Sequence, residues 1–341
     1  MIDSPFPKSS SAPGEGLIVA RVLPDGTSGL EAITYQYPLK LISPSRPSEL
    51  ASVLVFLLSY GGGLVGGDTV DLRVRVQAGA KLSIVTQGHT KVFASKTADV
   101  VTRQRLTVDI APAAALCLLP DPVQPFEGSV YEQKQVFRLA AGASLCLLDW
   151  VTRGRTARGE DWSFVRWRGC NEIWTAAEQG GGSGDGGGGV GARLLVRDAV
   201  ILDSARAASS PHMKTLRESM HTMGVMGTLL LRGPGMGALG DFFLAEFAAL
   251  PRIGARDFRS EQARKAADER TLSSLEQWRA GRLRLERESG LLWSAANVRG
   301  CVVVKFGAPE VEAGRVWIGS MLAREGSVLA TFGDHALLCV K

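Results

Sequence analysis

Cysteine is scarce in this 341-residue chain, and its spacing matches no familiar chemistry. The five cysteines, Cys117, Cys146, Cys170, Cys301 and Cys339, are odd in number and include no Cys-x-x-Cys pair. That argues against a disulfide framework and a structural zinc site, and it fits a reducing cytosol. No apolar run of about eighteen residues occurs, so no membrane span is expected. Met1 to Glu15 is rich in serine and proline and lacks the basic start and apolar core of a secretion signal. A flexible tail over residues 1–15 is therefore expected, followed by one domain over residues 16–341. Basic clustering is missing too: the net charge is +5 and the pI near 9, yet the basic residues are dispersed and no aromatic-basic motif stands out. No nucleic-acid partner is expected. At 45% hydrophobic content the composition is that of a globular protein with a sizeable core.

Glycine is plentiful, with 40 residues, and its most informative cluster is Tyr60-Gly-Gly-Gly-Leu-Val-Gly-Gly-Asp68. Gly61, Gly63 and Gly66 satisfy the Gly-x-Gly-x-x-Gly spacing of a dinucleotide fingerprint, but that motif needs a helix after it to hold the pyrophosphate. Here Val70, Leu72, Val74 and Val76 alternate with polar residues, the period of a half-buried strand. A phosphate loop would carry lysine followed by serine or threonine at its end, where Asp68 stands. A nucleotide-dependent enzyme using Gly61–Gly66 is thus the weakest reading. The alternatives are close backbone packing or a functional surface. No nucleophile lies beside a base, so no catalytic residue is expected.

Three segments repeat one pattern: Val76–Leu82, Ile110–Leu116 and Leu139–Leu145. Each is a strand end, a small-residue turn and a strand start. They suggest hairpin-like units or solenoid coils stacked side by side, with an ordinary sandwich as the alternative. Residues 179–191 are almost all glycine and are expected to be a disordered surface insertion. Helices are expected late in the chain, over Asp241 to Leu250, over Asp257 to Ser289 with Leu272, Leu275 and Trp278 on one face, and over Pro309 to Arg324. In the last, Trp317, Ile318, Met321 and Leu322 form an apolar stripe suited to internal packing. The fold class is therefore mainly β, with solenoid-like stacked strands and two or three helices in the C-terminal half.

Gly62-Gly-Leu-Val-Gly-Gly-Asp68, Thr86-Gln-Gly-His-Thr-Lys-Val-Phe93, Leu119-Pro-Asp-Pro-Val-Gln-Pro-Phe126, and Leu148-Asp149 leading to Gly154-Arg155 and Gly159-Glu160 occur in this order over nearly half the chain. On these residues the sequence resembles the UreD (UreH) family of urease accessory proteins. It departs from the family pattern at Tyr60, where proline is frequent, at Phe93, where tyrosine is frequent, and in the glycine tract. The resemblance implies a non-enzymatic, cytoplasmic maturation factor. Such a factor joins a UreF-type accessory protein and a UreG-type GTPase, binds apo-urease and helps convey Ni²⁺ to the urease active site through an internal tunnel. It leaves room for a homodimer within that complex, and the alternative is a β-rich interaction scaffold without a metal route.

A tunnel of that kind needs weak, replaceable ligation, because nickel held by thiolates or several imidazoles would be trapped. The acidic positions matching the family, Asp68, Asp149 and Glu160, are the candidate transient metal contacts, with no tightly bound cofactor. Gly62, Gly63, Gly66, Gly67, Thr86 and Lys91 complete the motif as structural residues. The competing reading gives all three acids structural work: Asp68 accepting amides of its own turn, Asp149 pairing with Arg153 or Arg155, and Glu160 on the surface. His89 reads as incidental. His212 and His221 stand nine residues apart, which argues against a metal cluster, and Met213, Met220, Met223 and Met226 precede a strand and read as core filling.

Overall fold

The computed structural model describes residues 12–44, 51–176, 191–204, 214–250 and 273–341. The expected tail lies outside the described residues up to residue 11, and Glu15 already opens the first strand. The glycine tract lies outside them except for Gly191, as do His212, Met213 and residues 257–272 of the expected long helix.

In chain order the early strands are β1 (Glu15–Val22), β2 (Ser28–Tyr35), β3 (Leu39–Ile42), β4 (Val53–Ser59), β5 (Thr69–Val76) and β6 (Lys81–Val85). There follow β7 (Thr90–Val92), β8 (Thr102–Ile110), β9 (Ala115–Leu118), β10 (Val123–Pro125), β11 (Val130–Leu139) and β12 (Ser144–Thr152). The last five are β13 (Arg166–Thr175), β14 (Leu194–Asp203), β15 (Val225–Arg232), β16 (Leu292–Val298) and β17 (Cys301–Ala308). Between and after them lie helices α1 (Leu216–Met220), α2 (Gly237–Ala248), α3 (Ser274–Ser289), α4 (Val311–Glu325) and α5 (Ser327–Phe332).

These strands form two mixed sheets. The first has seven strands in the order β14-β13-β11-β8-β5-β1-β2, and the second follows the path β16-β17-β15-β12-β9-β6-β4-β3, with β7 and β10 attached beside it. From β5 to β13 the chain alternates between sheets, and within each sheet successive visits pair in parallel. The three repeated segments are the short crossings from the first sheet to the second. Their strand ends are in register, Val76 beside Ile110 beside Leu139, and so are their strand starts, Leu82 beside Leu116 beside Leu145. The same turn bond closes each: Ala80 N donates to Gln77 O, Ala114 N to Ala111 O and Ala143 N to Ala140 O, at 3.0, 3.1 and 3.1 Å. Hairpin-like units are excluded here, because the strands flanking each turn lie in different sheets.

The layers explain the composition of the strands. Val70, Leu72, Val74 and Val76 of β5 and Leu106, Val108 and Ile110 of β8 point into the core between the sheets. β12 is buried along its whole length, since Leu145, Leu147 and Val151 face the first sheet while Cys146, Leu148 and Trp150 face the helices. A strand covered on both faces reads as a continuous apolar run, as this one does. The Trp317, Ile318, Met321 and Leu322 stripe of α4 is fully buried against the second sheet, as expected for internal packing. α3 differs from its amphipathic reading: Leu275 is exposed, whereas Arg282 and Glu286 are buried. Arg282 bonds Glu246 of α2 and Glu286, and Glu286 also accepts the Trp293 and Trp317 indole N–H groups at 2.9 Å each. Pairing and hydrogen bonding make those buried charges tolerable.

Candidate functional site

The crossings from the second sheet back to the first are long, covering residues 60–68, 86–101, 119–129 and 153–165, and they lie at one end of the sandwich. All the motifs singled out above fall in or beside them. They stack as a ladder of their own. Leu64 bridges Val92, β7 pairs with β10, and β10 pairs with Val151 of β12. Gln124 Nε2 then donates to Gly154 O at 3.2 Å.

The glycine run supplies the first rung, and its close packing is the reading the structure bears out. A β-carbon on Gly63 would lie 2.5 Å from the Phe93 ring and 2.9 Å from Lys91 O, so the position admits no side chain without displacement. Gly67 has φ +93°, which side chains rarely adopt. Gly62 is exposed with positive φ, and Gly66 packs beside the Ala94 and Ser95 backbone. β5 follows the run directly, as the alternation requires, so no helix N-terminus is there to hold a phosphate. Asp68 accepts the Val65 amide at 2.8 Å, closing its own turn. Lys91 is exposed, and its main chain receives Leu64 N at 2.9 Å.

The second and third rungs are locked by Asp121, whose importance was not read from the sequence. Thr86 Oγ1 donates to Asp121 Oδ2 at 3.0 Å and receives Asp121 N at 2.7 Å. Gly88 N donates to the same oxygen at 2.9 Å, and Arg315 of α4 donates to Oδ1 at 3.0 Å. Arg315 also donates to Cys339 O at 2.9 Å, so one carboxylate ties both motifs to the C-terminal helices. His89 stands half-buried beside Asp121, Arg315 and Gln124, with burial holding its pKa below the ordinary value against the pull of Asp121.

Glu160 is buried, not on the surface. The Arg155 guanidinium grips it through Nε at 2.8 Å and through a second nitrogen, and the Arg155 amide adds 2.8 Å. Burial alone would raise its pKa, but the Arg155 bonds and charge outweigh that and hold it below the usual carboxylate value. The same guanidinium lies 3.8 Å over the Phe126 ring, which meets Phe93 edge-on at 5.1 Å. Glu160 therefore braces the fourth loop against the others.

Asp149 is different. It sits on β12 facing the gap between the sheets, and neither Arg153 nor Arg155 reaches it, since Arg153 pairs with Glu310 and Arg155 with Glu160. Its Oδ1 accepts Gln133 Nε2 at 2.9 Å and its Oδ2 accepts Asn171 Nδ2 at 2.7 Å. Gln133 in turn lies 3.1 Å from the buried Tyr131 hydroxyl, which also reaches Gln104. Burial raises the Asp149 pKa, the two amide bonds partly offset this, and the nearby Asp198 charge adds to it. The result is an interior carboxylate held by neutral donors.

The structure thus keeps the three predicted acids in three settings. Among the described residues no group of three or more histidine, cysteine, aspartate or glutamate side chains is placed to hold a metal ion. Met220 and Met226 pack against the inter-sheet core, which bears out core filling for those two methionines, while His221 is exposed. Ser52 and His335 stand 2.9 Å apart, the only close Ser–His pairing among the described hydrogen bonds. Ser52 also bonds Phe332 O at 2.8 Å and must donate there. The imidazole Nε2 then carries the proton toward Ser52 and cannot act as its base. No described helix is long and apolar enough to cross a membrane.

Comparison with known proteins follows the same residues. A family profile described as UreD urease accessory protein matches residues 16–334. A urease accessory protein UreD of Sorangium cellulosum is 37% identical over 229 residues, covering 67% of this chain and 64% of that protein. Urease accessory protein 4 of Cryptococcus neoformans is 30% identical over 327 residues, 87% of this chain and 86% of its own length. A UreD of Anaeromyxobacter is 28% identical over 323 residues, 94% and 89% of the two chains.

Proposed function

This chain belongs to the UreD family of urease accessory proteins, non-catalytic factors in urease maturation, and we propose that it conveys Ni²⁺ toward apo-urease through the gap between its two sheets. In this reading it bridges apo-urease to a UreF-type accessory protein and, through the complex, to a UreG-type GTPase. The interior between the two mixed sheets is the route in this reading. Nickel is cargo, not a resident cofactor.

The observation that carries the reading is Asp149. A carboxylate buried in the core is costly unless it is paired, and here its partners are two amides, not a guanidinium. Such a group offers a passing cation charge without a salt bridge to break. A single carboxylate with amide and hydroxyl neighbours is also the weak oxygen ligation that lets nickel leave again. Asp68 and Glu160 support the proposal less. Both are tied to the loops that carry them, which suits shaping the mouth of the route or a partner surface. Their ties favour a second reading, a scaffold without a metal route.

The test is Asp149→Asn in the full chain, co-produced with urease and the other accessory proteins. Nickel per urease is measured by elemental analysis and assembly by co-purification. We expect assembly to persist and nickel to fall several-fold. Loss of assembly would make Asp149 structural, and unchanged nickel would take it off the route and leave the scaffold reading.

A further inference from the structure

At one side of the sandwich the two sheets end out of step. Among the described strands β14 closes the first sheet and pairs with β13 alone, while the second sheet runs on past it to β16. Over β14 lies β17, since Lys305 Nζ reaches Asp198 Oδ1 and Arg299, in the turn before β17, donates to Leu194 O at 3.1 Å. β16 therefore projects one strand beyond the β14 edge. Cys301 and Val303 of β17 pack into the core between the sheets, and their direct neighbours on β16 are Val298 and Ala296, so Leu292, Ser294, Ala296 and Val298 face the same way. No described strand of the first sheet lies opposite them. All four are exposed, Leu292 to 67%, whereas Trp293 and Ala295 between them are buried against the helices.

The backbone of β14 is open along that step. Ser204 N donates to Val165 O at 3.0 Å, which sets the phase of the antiparallel pairing and turns the amides of Val196, Asp198, Val200 and Leu202 toward β13. Arg197, Ala199 and Ile201 then turn theirs to the free edge. The result is a shelf with a hydrogen-bonding wall and an apolar floor. Native sheets ordinarily blunt or cover an edge of this length, and one left open beside exposed apolar side chains is a template for a further strand. Such a strand would alternate its side chains, one set resting on Leu292, Ala296 and Val298 and the other joining the outer face of the first sheet. That face is basic. Across β11, β13 and β14 it carries Lys134, Arg138, Arg166, Arg168 and Arg197 against Glu132, Glu172 and Asp203, and Arg197 at the edge strand is 56% exposed although it reaches Glu172.

We propose that this shelf docks an extended segment of a partner protein, added to β14 as a further strand of the first sheet, with apolar side chains over β16 and acidic side chains beside Arg197. Main-chain bonds supply the affinity of such a contact and the two faces of the segment its specificity. A second copy of this chain does not fit, because its own β14 arrives covered by β17 in the space that β16 holds here. The proposal stands apart from the nickel route and does not rest on it.

The probe is a capped synthetic peptide of about seven residues alternating glutamate and valine, added at about 1 mM to the full-length protein. Residue-resolved amide exchange is expected to slow at Arg197, Ala199 and Ile201, and the affinity is read from the anisotropy of a labelled peptide. Ala199→Pro removes one edge donor at a position where a strand tolerates proline, and it is expected to weaken binding about tenfold or more. Leu292→Lys puts a charge on the floor at an exposed position and is expected to do the same, so the test survives if the proline variant fails to fold. A peptide with lysine in place of glutamate is expected to bind about tenfold more weakly than the acidic one. Unchanged exchange at the β14 edge, equal binding of the lysine peptide, or acidic-peptide binding that survives the substitutions overturns the proposal. An oligouridylate that protects the same amides more strongly than the acidic peptide overturns it as well, by making the basic face a nucleic-acid surface.

Discussion

Replacing Asp121 with alanine should be among the most damaging single changes at the motif end, although the residue carries no metal in the proposed function. Three donors converge on its carboxylate, Thr86 Oγ1 at 3.0 Å, Gly88 N at 2.9 Å and Arg315 at 3.0 Å. Hydrogen bonds to a charged group are worth about 1.5–3 kcal/mol each, though losses within one network do not add. Removing one partner of a buried ion pair costs about 3–5 kcal/mol, because the other charge stays behind. The Arg315 side chain is 20% exposed and keeps its bond to Cys339 O, which softens that penalty. Together these give about 3–4 kcal/mol for Asp121→Ala, a large part of the roughly 5–15 kcal/mol that holds a typical protein folded. Asp121→Asn keeps an acceptor for Gly88 and Thr86 and should cost about 1–2 kcal/mol.

Urea unfolding of the full chain, followed by far-ultraviolet circular dichroism, measures both changes. A cycle with Arg315→Met isolates the pair: the double variant should be less destabilised than the sum of the single variants, by about 1–3 kcal/mol. Asp121→Ala within about 1 kcal/mol of the wild type, or strict additivity with Arg315→Met, would refute the assignment of Asp121 as the tie between the loops and α4.

Two further changes test the neighbouring rungs. Glu160 has a folded pKa below its ordinary value, so its contribution is present above the usual carboxylate range and lost as pH falls through the lowered value. Glu160→Gln should therefore cost about 1.5–3 kcal/mol at pH 7, with the gap to wild type closing toward pH 3 in urea titrations. A gap independent of pH would mean the carboxylate charge is not what braces the loop. Gly63→Ala puts a methyl 2.5 Å from the Phe93 ring and 2.9 Å from Lys91 O. It should cost about 1–3 kcal/mol and speed proteolytic nicking within residues 60–68, and an unchanged digestion rate would show the loop has room to spare.

What the sequence revealed follows the range of the interactions involved. The three turns were legible because their chemistry is local: small residues, one closing bond and alternation on either side. Their topology was not, since Val76 finds its partner at Ile110, 34 residues on, and nothing in the turn distinguishes a crossing between sheets from a hairpin. The strand after the glycines announced itself through Val70, Leu72, Val74 and Val76, and that alone disposed of a phosphate site. Asp149 was legible as interior from the apolar run before it, while its partners were misread. Arg153 and Arg155 are near in sequence, but along a strand ending at Thr152 they belong to the loop, whereas Gln133 and Asn171 arrive from the opposite sheet. A signal for Gln133 was there to be found: with Tyr131, Gln135, Phe137 and Leu139 it occupies the inward face of β11, where a polar side chain requires a partner. Asp121 lies within its motif, yet Arg315 is 194 residues away, beyond any local pattern.

The division between the two ends of the sandwich bears on how the acids should be read. Short crossings at 77–80, 111–114 and 140–143 fix the register of both sheets, so the long loops at the other end spring from strands already held in place. Those loops then brace one another through Leu64, β7, β10 and Gly154, with Asp68, Asp121 and Glu160 each tying a loop down. A carboxylate used in that way is occupied, and a passing cation could take it only by dismantling the loop. Asp149 is held by amides whose orientation a cation could share, because Asn171 has an oxygen to offer beside it. Acidic positions that look equivalent in the sequence thus separate by what already satisfies them. On that ground loss of assembly is the expected signature of Asp121 and Glu160 variants, and loss of nickel with assembly intact that of Asp149 variants.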